Sequence, residues 1–185
     1  MKTKILLPAA LALSLSVAAQ AQTRLKWNAL YWAVGVVNMS AETKLSDKCT
    51  FNGDLVYSPW ESLDGNPMKF GQAIAEGRFY PRKTFDGFYV GAYGAYHKLF
   101  KFTKWNYINR DNCQKGNGMS FGATLGYQLQ INNRWGLDLY AGYGWQHTTY
   151  KGYKKSTGDM YVDTNSSGEW LPYKLGVAFT LQLGK

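Results

Sequence analysis

The feature that most constrains this chain is the alternation of apolar and non-apolar residues across its last third. Phe121, Ala123, Leu125, Tyr127, Leu129 and Ile131 form one set, separated by Ser120, Gly122, Thr124, Gly126, Gln128 and Gln130. After Asn132-Asn133-Arg134 the pattern resumes with Trp135, Leu137, Leu139, Ala141, Tyr143 and Trp145, against Gly136, Asp138, Tyr140, Gly142, Gly144 and Gln146. It returns with Tyr173, Leu175, Val177, Phe179, Leu181 and Leu183, against Lys174, Gly176, Ala178, Thr180, Gln182 and Gly184. A period of two is the signature of a β-strand. Strands of soluble proteins average about five or six residues, whereas a tilted strand that crosses a bilayer needs ~9–11, which is the length of these segments.

Geometry supports a membrane strand. Trp135 and Trp145 share one face and lie ~33 Å apart at ~3.3 Å per residue. A tilt of ~40° turns that into ~25 Å of height, the apolar band that aromatic girdles bracket in outer-membrane barrels. The alternative is a secreted soluble sandwich or lipocalin-like barrel with its apolar face inward, binding an apolar ligand. The Gly, Asp, Gln and Lys on the opposite face argue against that inversion.

Five weaker strands are expected at 25–34, 39–45, 50–57, 73–80 and 87–96. With 119–131, 135–150 and 173–183 they make eight. The connections alternate: short at 35–38, 46–49, 81–86 and 132–134, long at 58–72, 97–118 and 147–172. Short periplasmic turns opposite long outer loops are typical of outer-membrane barrels. The expected fold is therefore all-β, an eight-stranded antiparallel up-and-down transmembrane barrel with a plugged polar lumen. Composition agrees, since 16% aromatic residues and 20 glycines favour close strand packing over helix.

The N-terminus reads as an export signal. Lys2 and Lys4 precede an apolar stretch, and Ala19-Gln20-Ala21 is a small-x-small cleavage site. Residues 1–21 are expected to be removed, leaving 22–185 as one barrel domain in the outer membrane of a Gram-negative cell. The apolar stretch is too short for a spanning helix. The full-chain charge of +9 stays strongly basic after Lys2 and Lys4 are lost. Export argues against nucleic acid as the anionic partner and for a phosphate-rich membrane surface.

Lys26-Trp27-Asn28-Ala29-Leu30-Tyr31-Trp32, Tyr57-Ser58-Pro59-Trp60, Glu76-Gly77-Arg78-Phe79-Tyr80, Arg134-Trp135-Gly136-Leu137-Asp138 and Pro172-Tyr173-Lys174-Leu175-Gly176 carry a resemblance. The chain resembles an uncharacterised family, a domain of unknown function, of single-domain outer-membrane proteins from anaerobic gut and oral bacteria. The resemblance implies an eight-stranded barrel in the outer membrane and no established activity, hence no catalytic residues to carry over. Cys49 stands where the family pattern suggests an aromatic.

Eight strands enclose an interior that side chains just fill, so a general diffusion pore is not expected. Parity assigns Glu42, Asp54, Glu76, Arg78, Asp138 and Lys174 to that interior, with Asn28 and Gln128. Arg78 and Lys174 are expected to pair with some of the carboxylates, because unpaired charge there is costly. Trp135, Tyr143, Trp145 and Tyr173 are the expected aromatic girdle. The outer loops are expected to carry Lys98, Lys101, Lys104, Arg110, Lys115, Lys151, Lys154 and Lys155, interleaved with Phe100, Phe102, Trp105, Tyr107, Tyr150 and Tyr153. Basic groups beside aromatics suit membrane lipid, in particular lipopolysaccharide phosphates.

The expected role is therefore structural or surface-interacting, as a monomer, with any protein partner unspecified. The second reading is a lipid-modifying barrel enzyme, for which His97, Ser120 and His147 near the outer rim form a suggestive nucleophile-and-base cluster. No acid is placed to orient a base, so no catalytic residue is assigned. No metal or cofactor is expected: phosphate-loop, zinc and dinucleotide spacings are all missing from the sequence. Cys49 and Cys113 fall at opposite rims, ~25 Å or more apart, too far for a disulfide.

Overall fold

The computed structural model describes residues 22–62, 65–103 and 111–183; the expected signal at 1–21 lies outside them. Eight strands form a closed barrel: β1 (Thr23–Asn28), β2 (Val37–Lys44), β3 (Cys49–Ser58), β4 (Met68–Phe79), β5 (Gly87–Phe102), β6 (Asn112–Gln130), β7 (Trp135–Lys154) and β8 (Met160–Leu183). Each pairs antiparallel with its chain neighbours. The ring shuts where β1 meets β8, from Thr23 opposite Leu183 to Asn28 opposite Ala178. Closure leaves no sheet edge exposed.

The first strand is shorter than the expected 25–34. A one-turn helix, α1 (Ala29–Ala33), follows β1 directly. The Asn28 side chain accepts from the Leu30 amide at 3.0 Å, capping the helix start. Gly35 ends the turn in the left-handed region, φ 70°. The Trp60 indole packs over it and donates to the Val34 carbonyl at 2.9 Å.

The last four strands are longer than expected, at 16, 19, 20 and 24 residues. Most of the segments 97–118 and 147–172, read from the sequence as loops, instead continue the ladder, with Asn112 opposite Lys154 and Cys113 opposite Tyr153. Polar composition suggested loops, but Thr148, Thr149, Tyr150, Tyr161 and Val162 are good strand formers, and a paired partner satisfies their backbone groups. The turn joining β7 to β8 is correspondingly tight. Its Lys155 amide donates to the Asp111 carbonyl at 2.7 Å.

Packing is inverted relative to a water-soluble core. Leu55, Met119, Phe121, Leu125, Ile131 and Leu175 are exposed on the outside. Asn28, Glu42, Glu76, Gln128 and Asp138 are fully buried inside. Inward tyrosines lie across inward glycines of the neighbouring strand. A Cβ on Gly126 would sit 2.3 Å from the Tyr89 ring, and one on Gly176 would sit 2.2 Å from the Tyr140 ring. The inner-face glycines make room for these rings.

Candidate functional site

The barrel interior is built in three levels. At the end holding the short turns, Arg24 donates to Gln182 at 2.9 Å, to Gln128 at 3.1 Å, to the Phe85 carbonyl at 3.0 Å and to Gln130. Phe85 is tucked under the barrel with its ring 4.5 Å from the Arg24 guanidinium. Its φ of 67° is a left-handed conformation that favours glycine. The Arg24 contacts offset that strain, so the turn closes this end.

The middle level is a charge cluster. Arg78 donates to Asp138 at 2.8 Å, to Glu42 at 3.1 Å and to Glu76 at 2.8 and 3.0 Å. Lys26 bridges Asp138 at 2.9 Å and Glu42, and Lys174 pairs with Glu76 at 2.8 Å. Tyr80 donates to Glu42 at 2.7 Å and Tyr89 to Asp138 at 2.9 Å; Thr50 also donates to Glu42. Three cations thus face three carboxylates, all almost completely buried. Such a group persists only when charges and hydrogen bonds are matched. Asp54 lies apart from these bridges and accepts from Ser40 at 3.0 Å and from Asn38.

Above the cluster a cavity of about 290 Å³ opens toward the long-strand end, lined by residues that include Tyr31, Gln72, His97, Glu169, Leu171 and Tyr173. The His97 ring is hydrogen-bonded to the Thr148 hydroxyl at 2.8 Å and to the Tyr173 hydroxyl at 3.0 Å. Tyr173 also stacks on inward-facing Tyr93. The sequence parity put Tyr173 in the outer girdle, and this is corrected. The β7–β8 register slips between Gly142 and Tyr143, so that Gly142 faces Lys174 while Tyr143 faces Pro172. One extra residue in β8 turns Tyr173 inward.

The other girdle residues lie outside. Trp135 packs edge-on to Trp27, Tyr143 stacks on Trp170, and Trp145 stacks on His147. His147 therefore faces away from His97, and the two histidines do not converge; Ser120 is buried on the inner face beside Tyr173, the hydroxyl of which also bonds His97. Lys98, Lys101, Lys115, Lys151 and Lys154 are strand residues rather than loop residues, and only Lys155 is in a turn; Lys104 and Arg110 lie outside the described residues. Cys49 and Cys113 are free thiols at opposite ends of the barrel.

Sequence reasoning missed Lys26, Arg24 and Tyr80. Arg24 and Lys26 share the parity of Asn28, which was the available signal. Tyr80 was hidden because it enters from a turn. Outside the barrel wall, the Glu61 carboxyl is held below the usual range by the hydrogen bond from Lys69. Asp111 is lowered mainly by the Ser156 hydroxyl.

The chain belongs to one family over nearly its whole length. The family is described as a protein of unknown function (DUF3575), and it matches residues 5–183. No curated protein and no solved structure matches the chain.

Proposed function

We propose that this is an outer-membrane β-barrel protein, exported with residues 1–21 removed, with a structural or surface-interaction role at the lipopolysaccharide leaflet and no general pore. The observation that carries this reading is the inverted polarity. Leu55 is 64% and Leu175 60% exposed, while Glu42, Glu76 and Asp138 are 0% exposed. A closed barrel satisfies its own backbone hydrogen bonds, so such a surface is stable against acyl chains. In water it would be an apolar patch far larger than monomeric proteins tolerate.

The outward run from Met119 to Leu129 covers ~33 Å of strand, or ~25 Å of height at the usual tilt. The buried ion cluster and the Phe85 turn, which fill the interior at two levels, support the absence of a general pore. Membrane fractionation with gel migration before and after boiling tests the placement: a folded membrane barrel sediments with membranes and shifts on heating. Wild-type protein in a planar bilayer is expected to give no sustained unit currents, and steady currents would reject the plugged reading.

A further inference from the structure

The barrel's long strands place lysines in a row that the sequence pattern did not show. Lys69 on β4 is directly opposite Lys101 on β5, and Lys115 on β6 is directly opposite Lys151 on β7. The two pairs join. Gln114 faces Phe102 and Gly116 faces Leu99, so Lys115 between them meets the bulge that carries Lys101. Lys98 sits just below, opposite Asn117. Alternation with inward His97, Gln114 and Thr148 points Lys98, Lys115 and Lys151 outward.

Like charges directly opposed across strands destabilise a sheet. Here four lysines occupy one rung of four adjacent strands. Among the described residues carboxylates bond its two ends, Glu61 to Lys69 at 2.6 Å and Asp163 to Lys151 at 2.9 Å. Lys98, Lys101 and Lys115 form no ion pair among the described residues. Lys98 lies 5.6 Å from the Phe100 ring centre and Lys115 4.8 Å from that of Tyr153. These aromatic contacts hold the ammonium groups against the wall without neutralising them.

The row is one-sided. On the neighbouring β8 the register carries the rung to Asp163 and Thr164, between Val162 opposite Gly152 and Asn165 opposite Tyr150, and no Lys or Arg occurs in residues 156–172 or 27–43. Its height fits a membrane interface. Lys115 is four residues beyond outward Met119, ~13 Å along the strand and ~10 Å above the apolar band.

We infer that this rung on the β4–β7 flank, centred on Lys98, Lys101 and Lys115, is a binding site for the phosphates of lipopolysaccharide lipid A. The inference rests on the outer-membrane reading above and deepens it. Two phosphates on a rigid disaccharide present closely spaced negative charge to a line of lysines. The acyl chains below would lie on Tyr96, Met119 and Phe121.

The test uses full-length mature protein in detergent micelles, titrated with purified lipopolysaccharide and with the same material lacking its lipid A phosphates. The variant Lys98→Gln/Lys101→Gln/Lys115→Gln is compared with Lys48→Gln/Arg82→Gln/Arg134→Gln, which removes equal charge at the opposite rim. A basic residue at an anionic surface contributes several-fold in affinity. The rung variant is expected to bind intact lipopolysaccharide roughly a hundredfold more weakly. The rim variant should match wild type, and dephosphorylated lipopolysaccharide should bind all three proteins equally weakly. Unchanged affinity in the rung variant, or equal loss in the rim variant, overturns the site. Membrane fractionation separates this from the underlying reading, because wild-type protein found in the soluble fraction would overturn both.

Discussion

Replacing Arg78 offers the sharpest probe of the interior. Its guanidinium contacts Glu42, Glu76 and Asp138 and lies 4.4 Å from the Tyr89 ring centre. Arg78→Met keeps most of the aliphatic stem but leaves three carboxylates facing two ammonium groups. Breaking a buried pair by removing one partner costs about 3–5 kcal/mol. That is roughly a 150- to 5,000-fold loss in the folding equilibrium. Adding Glu42→Gln restores the balance, because Lys26 with Asp138 at 2.9 Å and Lys174 with Glu76 at 2.8 Å remain as two complete pairs. A glutamine carbonyl still accepts from Tyr80 and Thr50. The double variant is therefore expected to be about 1–2 kcal/mol more stable than Arg78→Met alone, a non-additivity expected of residues in one network. Urea unfolding of the refolded barrel, followed by tryptophan fluorescence and by gel migration, measures both quantities. Strict additivity of Arg78→Met and Glu42→Gln, or a single variant as stable as wild type, would refute the idea that charge balance stabilises this interior.

Gly126→Val and Gly176→Val should each destabilise the barrel by about 1–3 kcal/mol or more, since the new side chain meets the Tyr89 or Tyr140 ring. Gly53→Val, with nothing within 4 Å of its Cβ position, should stay within about 0.5 kcal/mol of wild type in the same unfolding assay. At the outer turn, Asp111 accepts from the Ser156 amide at 2.9 Å and hydroxyl at 2.7 Å, and its carboxyl is lowered. A lowered folded pKa gives stabilisation that is complete above the unfolded value of about 4 and lost as pH falls through the folded value. Amide exchange at Ser156 should therefore be slow at neutral pH and lose its protection as acid titrates Asp111, whereas Asp111→Asn should show no such acid step.

The membership of a family of unknown function, drawn from short motifs, and the closed eight-stranded fold were both legible in the sequence. Neither indicates what the protein binds, because barrel-wall residues answer to packing rather than to a ligand. The rung of lysines was legible only as composition. Lys98, Lys101 and Lys115 stood out as basic residues among aromatics, but a linear sequence does not say which strands are adjacent or in what register.

By itself the sequence determined the strands and their two faces, because side chains leave a β-strand on alternate sides. Asp138, Gln128 and Lys174 fell on one parity and Leu139, Leu125 and Leu175 on the other. Tertiary structure alone decided where that parity fails and which charges meet. Tyr173 turns inward at a bulge set by its pairing with β7. α1 replaces the expected end of β1, and β5 to β8 continue past the apolar band because each has a partner strand to satisfy its backbone. Arg78 finds Glu42 and Asp138 across the lumen because closure of the ring brings β2, β4 and β7 face to face, a distance that local alternation does not encode.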